Sequence, residues 1–233
     1  MEIKLNDLIN SIQNLVRQIG HEVVPSARLQ DFVIHEYASY EEYKETQIKF
    51  NKIKINNIWA DDVTLKRVVE IAHNKLGSER KNLRILCHGS RNGYEVQCLK
   101  KFLPDAEILG TDISDTASDY GLVEWDFHDV NSDWLKRFDV IYTNSLDQSW
   151  KPREALTVWL DQLNNDGILI IEHTEAHSPT GASKMDPFGV RPIAFPYIIT
   201  KWFEDKVAIS WTVGKKGNMN LEAYLFAIRN TKI

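Results

Sequence analysis

The 233-residue chain holds only two cysteines, Cys87 and Cys98, three methionines and no long hydrophobic run. Its longest uninterrupted aliphatic stretch is Ile168–Ile171, far short of the roughly 18–20 residues a membrane-spanning helix needs. The opening MEIKLNDLIN carries an acid at position 2 and no apolar core, so no secretory leader is expected. Two thiols without secretion signals fit a reduced, cytoplasmic protein better than a disulfide framework. Positive charge is not in excess either. Lys and Arg number 28 against 33 Asp and Glu, a net −5 at pH 7, which argues against a nucleic-acid partner. No repeat or low-complexity segment stands out. With 43% hydrophobic and 26% charged residues, the chain reads as one large domain, or one domain with an extension, long enough to bury a sizeable core.

The character of the sequence changes near residue 80. Before it the patterns are helical. Leu5, Leu8, Ile9, Ile12, Leu15, Val16 and Ile19 recur at spacings of three and four, and Gly20 stops the run. A second helical stretch runs from Tyr37 to about Ile55, and a third from Val63 to Leu76 puts Leu65, Val68, Val69 and Ala72 on one face before Gly77. Residues 1–80 are therefore expected to form a helical extension or cap, whose exposed face also suits a homodimer.

From residue 82 short apolar strands alternate with helices: strands at Leu83–Cys87, Glu107–Thr111, Val123–Phe127, Phe138–Thr143 and Ile168–Glu172, with helices over Glu95–Phe102 and Ala155–Leu163. Val207–Val213 and Leu221–Ile228, joined by Gly214-Lys215-Lys216-Gly217, read as a terminal hairpin. The expectation for 81–233 is an α/β fold, a doubly wound and mostly parallel sheet with a C-terminal antiparallel hairpin strand.

In such sheets ligands bind beyond the carboxyl ends of the strands, at the switch point of the topology. After the first strand stands His88-Gly89-Ser90-Arg91-Asn92-Gly93, whose glycines let a backbone approach a ligand. Asp112 follows the second strand, 23 residues beyond Gly89, a separation at which a carboxylate can accept from both hydroxyls of a ribose. Asp126-Phe127 follows the third strand, placed for the edge and face of a nucleobase, and Asn144 ends the fourth. Singly, each reads equally well as an ordinary turn, cap or core residue; the order and spacing give them weight together.

In this arrangement the chain resembles the class I S-adenosylmethionine-dependent methyltransferases over about residues 82–230. Arg84-Ile85-Leu86-Cys87-His88-Gly89-Ser90-Arg91-Asn92-Gly93 falls where that family has its glycine-rich first motif. Gly110-Thr111-Asp112-Ile113-Ser114 matches the acidic second motif, Trp125-Asp126-Phe127 looks like the third, and Phe138-Asp139-Val140-Ile141-Tyr142-Thr143-Asn144-Ser145 looks like the fourth. The phrases CHGSRNGYE, GTDISDTAS and WDFHDVN are similar to a bacterial branch of the family. The resemblance implies a Rossmann-like fold, S-adenosyl-L-methionine as cofactor and S-adenosyl-L-homocysteine as product. Its cofactor-binding residues would be His88, Gly89, Ser90, Gly93, Asp112, Ile113, Asp126, Phe127 and Asn144. Two departures stand out: Cys87 replaces a common acid near the cofactor's amino group, and Arg91 replaces a common glycine.

Methyl transfer is an in-line displacement that needs alignment and, for a hydroxyl acceptor, a base. The candidates follow strands four and five: His173, then Asp147, then His177. Glu172, His173, Glu175, His177 and Asp147 also make an oxygen-and-imidazole set of the kind that takes divalent metal, although the spacing is not diagnostic and no metal ligand is assigned. The long segment Ser178–Pro196, at the ligand edge, is expected to act as a lid, and Tyr37, Tyr40, Tyr43 and Trp59 as a helix interface or the opposite pocket wall. The resulting expectation is O-methylation of a small polar acceptor such as a saccharide or nucleotide-sugar. The alternatives are an NAD-binding oxidoreductase, weakened by the lack of a G-x-G-x-x-G loop, and a non-catalytic methyltransferase-like binding module.

Overall fold

The computed structural model describes residues 5–20 and 30–231. Residues 1–4, the head of the stretch read above as no leader, lie outside the described residues, as do 21–29 and 232–233. The elements run α1 (Leu5–Gln18), β1 (Phe32–Ile34), α2 (Tyr40–Ile53), α3 (Asp62–Leu76), β2 (Arg84–His88), α4 (Tyr94–Phe102), β3 (Glu107–Asp112), β4 (Val123–Glu124), β5 (Phe138–Thr143), α5 (Pro152–Gln162), β6 (Leu163–His173), β7 (Phe188–Val190), α6 (Phe195–Phe203), β8 (Val207–Lys215) and β9 (Glu222–Asn230). Seven strands form one sheet in the order β4-β3-β2-β5-β6-β9-β8. Strands β2 to β6 pair in parallel, and β9 and β8 close the sheet antiparallel. The expected α/β sheet with a terminal hairpin is present.

Strand periodicity divides the core. Ile141, Leu169 and Ile171 join Trp159, Phe195 and Ile199 on one face, while Val140, Tyr142, Ile168 and Ile170 join Leu65, Val68, Val96 and Leu99 on the other. Successive side chains point to opposite faces of a strand, so a parallel sheet covered on both sides needs the near-continuous apolar runs these segments carry. Helix α3, preceded by Asp61 accepting from the Thr64 N–H at 2.9 Å, thus packs its apolar stripe on the same sheet as β2–β6. By contrast, Ile9, Ile12, Leu15 and Ile19 around α1 are exposed. Among the described residues no helix is long and apolar enough to cross a membrane.

Two strands went unread in the sequence. β1 pairs antiparallel with β7 (Val33 opposite Gly189), so part of the long Ser178–Pro196 segment is pinned by an N-terminal strand.

Candidate active site

The chain leaves β2 for β3 and β4 on one side and returns to β5 on the other, so the switch point lies between β2 and β5. The loop above it bends at Gly89 (φ 68°) and Gly93 (φ 70°). A Cβ on Gly89 would come within 2.6 Å of the Ser145 Cβ, so only glycine lets the loop lie on the end of β5. Ser90 is buried beneath it, its hydroxyl donating to the Cys87 carbonyl at 3.2 Å. Arg91 sits in the left-handed region at φ 40°. That is a conformation glycine adopts without strain, which explains why a glycine is common there in the resembling family.

Asp112, at the end of β3, is 4% exposed. One carboxylate oxygen accepts the Arg91 backbone N–H at 2.8 Å. The other accepts the Ser114 N–H at 2.9 Å and the Asn51 side-chain amide at 2.7 Å. Burial raises its pKa despite these bonds. Asp126 accepts from the His128 N–H and Nδ1 at 2.9 and 2.7 Å and from the Tyr40 hydroxyl at 3.0 Å. Burial works against its ionisation, but the bonds from His128 win and hold its pKa below the usual range. With Nδ1 donating, His128 Nε2 accepts from the Ser149 hydroxyl at 2.7 Å.

Helix α2 therefore spans both carboxylates, with Tyr40 on Asp126 and Asn51 on Asp112, while the Tyr43 hydroxyl donates to the Gln148 carbonyl at 3.2 Å. An amide N–H and a hydroxyl are donors of the same class as a nucleobase amino group and a ribose hydroxyl. The two carboxylates thus already accept bonds of the kind that an adenosine would offer. The residues present fit the implied cofactor. Ile113, next to Asp112, is half-buried.

His88 does not face the two carboxylates. His88 is 1% exposed, bonded to Thr111 Oγ1 and Gln162 Oε1, both at 2.9 Å, and stacked on Trp159. Burial lowers its pKa to about 4. Phe127 packs edge-on against Trp159 in the same cluster, with its ring edge beneath the Gly89 turn, 3.7 Å from where a Cβ would stand. An imidazole with both nitrogens bonded inside the protein has nothing left to give a ligand.

Beyond the glycine loop opens a cavity of about 580 Å³ whose lining includes Trp59, Arg91, Asn144, Asp147, His177 and Asp186. Asp147, in the 3-10 turn Leu146–Gln148, has one buried oxygen without a hydrogen-bond partner. Burial lifts its pKa to about 6. Its other oxygen lies 3.7 Å from His177 Nε2, and burial keeps His177 near pKa 4, hence neutral at pH 7. Asp186, from the Ser178–Pro196 segment, pairs with Lys54 at 3.3 Å. Trp59 lies against the His177 ring at 5.1 Å, with the Lys216 ammonium 5.4 Å from its ring centroid. Lys216 is itself buried between Glu172, in hydrogen-bond contact, and Asp61 at 3.4 Å; Glu172 also accepts from the Tyr142 hydroxyl at 2.6 Å.

His173 stands behind this wall. Its Nε2 donates to the Val190 carbonyl at 2.8 Å, its ring stacks on Phe195, and burial lowers its pKa to about 3. Of the three acceptor-side candidates the structure brings Asp147 and His177 together at the cavity and leaves His173 in the core. Glu172 is tied up by Lys216 and Tyr142, and among the described residues no group of three or more His, Cys, Asp or Glu is gathered for a metal ion. The residues missed in the sequence are Asn51, Lys54, Glu95 and Lys216. Asn51, Lys54 and Lys216 share no local pattern with the site, since each arrives by packing over 40 or more residues of chain, whereas Glu95 stands two residues after Gly93 and reads as an ordinary helix residue.

No family model and no curated protein sequence matches the chain. Solved structures match its fold. The 1,6-didemethyltoxoflavin-N1-methyltransferase of Burkholderia thailandensis, with 1,6-didemethyltoxoflavin and S-adenosylhomocysteine bound, superposes with a TM-score of 0.64 at 15% identity, over 86% of this chain and 94% of that one. The plantazolicin methyltransferase BpumL in complex with SAH gives 0.60 at 13% identity, over 82% and 97%. The [4+2]-cyclase SpnF gives 0.51 at 14%, over 71% and 81%. The class I methyltransferase fold is shared, and because it also serves a cyclase, activity has to be argued from the site.

Proposed function

We propose that the chain is an S-adenosylmethionine-dependent methyltransferase that methylates an oxygen of a small polar acceptor, a saccharide or nucleotide-sugar being the class the cavity suits. The observation that carries this reading is the unpartnered buried oxygen of Asp147 beside a neutral His177. Asp147 lines a cavity that it shares with Arg91 of the glycine loop, whose backbone N–H donates to Asp112. When bound, the cofactor supplies an electrophilic methyl group. Asp112 would take the ribose hydroxyls and Asp126 the nucleobase amino group, while the Gly89–Gly93 loop lets the amino-acid end approach the backbone. Asp147 is the general base for the acceptor hydroxyl, and the neutral His177 ring walls in its second oxygen at 3.7 Å. Lys54 and Arg91 offer donors, and Asp186 a further acceptor, for neighbouring hydroxyls. The free thiols Cys87 and Cys98 agree with a cytoplasmic setting, and the exposed apolar residues of α1 with a homodimer.

Calorimetric titration tests the cofactor. S-adenosylhomocysteine is expected to bind with a micromolar Kd and NAD not at all. NAD binding alone would support an oxidoreductase, and binding of neither would leave a methyltransferase-like binding module. The base has its own signature. Asp147 is a base only when ionised, so methyl transfer is expected to rise with pH through about 6 and then level off, since His177 is already neutral above about 4. A rate that is flat between pH 5 and 8 would remove Asp147 from that role.

A further inference from the structure

Glu95, in the first turn of α4, is a carboxylate the mechanism above does not use. It is 8% exposed, and it lies directly behind the glycine loop. One oxygen accepts the Asn144 side-chain amide at 3.2 Å, and the other is buried without any hydrogen-bond partner. Burial pushes its pKa up to about 7; the Arg91 guanidinium is close enough to oppose that and Glu172 to reinforce it. Cys87 and Tyr142, the other titratable groups facing it, are buried, with pKa values pushed well above the ordinary range, and so bring no charge. A buried carboxylate oxygen left unpaired is costly unless a cation or donor completes it. The cation that acts on it is Arg91, which lines the cavity and whose guanidinium donates to the Asn57 carbonyl at 3.4 Å.

Glu95 and Arg91 carry opposite charges on either side of Gly93, and Arg91 lines the cavity together with Asn144, the residue bonded to Glu95. On the reading of the cofactor given above, the glycine loop receives the α-amino acid end, which carries an ammonium and a carboxylate on one carbon. We propose that Glu95 and Arg91 bind this zwitterion, the ammonium donating to the free Glu95 oxygen, with Asn144 orienting the carboxylate, and the guanidinium taking the ligand's carboxylate. The inference rests on the proposed cofactor, yet it can fail separately from it.

The experiment compares S-adenosylhomocysteine with 5′-methylthioadenosine, which keeps the adenosine and lacks the amino acid, by calorimetry on wild type and Glu95→Gln. Glutamine preserves the shape and the bond from Asn144 while removing the negative charge. Charged hydrogen bonds are worth enough that the variant should bind S-adenosylhomocysteine about 10- to 100-fold more weakly, with 5′-methylthioadenosine unchanged within about twofold. Should Glu95→Gln not fold, Glu95→Met, an apolar residue of similar length, replaces it, and retained 5′-methylthioadenosine binding certifies the cleft. Equal loss for both ligands, or no loss for either, overturns the assignment of Glu95. Wild type that binds neither ligand overturns the cofactor reading and this inference with it.

Discussion

Asp112→Ala lowers the affinity for S-adenosylhomocysteine by at least about 100-fold. The carboxylate would take two ribose hydroxyls, and hydrogen bonds to a charged group are worth about 1.5–3 kcal/mol each. The substitution also releases the Arg91 and Ser114 backbone N–H groups that shape the loop and the start of the next turn. Asp112→Asn separates the two contributions: it keeps the volume and one acceptor oxygen, so its loss should be smaller, about 10-fold. Melting temperatures of both variants report whether the fold survives. Wild-type affinity in a folded Asp112→Ala protein would mean that ribose does not sit at β3, and the placement of the whole cleft would fall with it.

Lys216→Met costs about 3–5 kcal/mol of folding stability, read as the shift in urea midpoint at constant slope. The ammonium is fully buried between Glu172 and Asp61, and removing it leaves the 1%-exposed Glu172 as an uncompensated charge. The penalty depends on pH with a definite sign. Burial raises the Glu172 pKa even with Lys216 present, and without the lysine it rises further. The folded variant then holds a proton that the unfolded chain releases above its ordinary value of about 4.3. Stability of the variant should therefore fall as pH rises from 5 to 8, more steeply than that of wild type. Lys216→Met combined with Glu172→Gln removes both charges and should recover part of the loss with little pH dependence. A single variant as stable as wild type would show that the lysine's burial is not compensated by the pair.

Segments with a strong period were legible in the sequence. β5 runs over the expected Phe138–Thr143, α3 begins one residue before the expected Val63, and the hairpin forms, with its turn moved on from the expected Gly214–Gly217 because Gly214 and Lys215 pair with Ala223 and Glu222. Short strands were not: β1 and β7 span three residues each, too few for an alternation to register. The strand expected over Val123–Phe127 stops at Glu124, because Asp126 turns to accept the His128 N–H. β6 begins at Leu163, ahead of the expected Ile168, entering past a register shift opposite Phe138 and Val140. In the site, the strand-end rule located Asp112, Asp126, Asn144 and Asp147, since β-strand ends fix where the next side chain emerges. The same rule cannot tell a ring that faces the cleft from one that faces the core. His88 follows a strand as Asp112 does, yet Gln162 and Trp159 of α5 hold it inward.

The bridges from α2 to Asp112 and Asp126 have a kinetic meaning. An entering adenosine would displace the Asn51 and Tyr40 donors while bringing an amino group and two ribose hydroxyls of its own, so breaking those two bonds offsets part, not all, of what is gained at the carboxylates. The exchange also needs those two side chains to let go first. At high ligand concentration the association rate then stops rising and settles at the rate at which the Asn51 and Tyr40 bonds open.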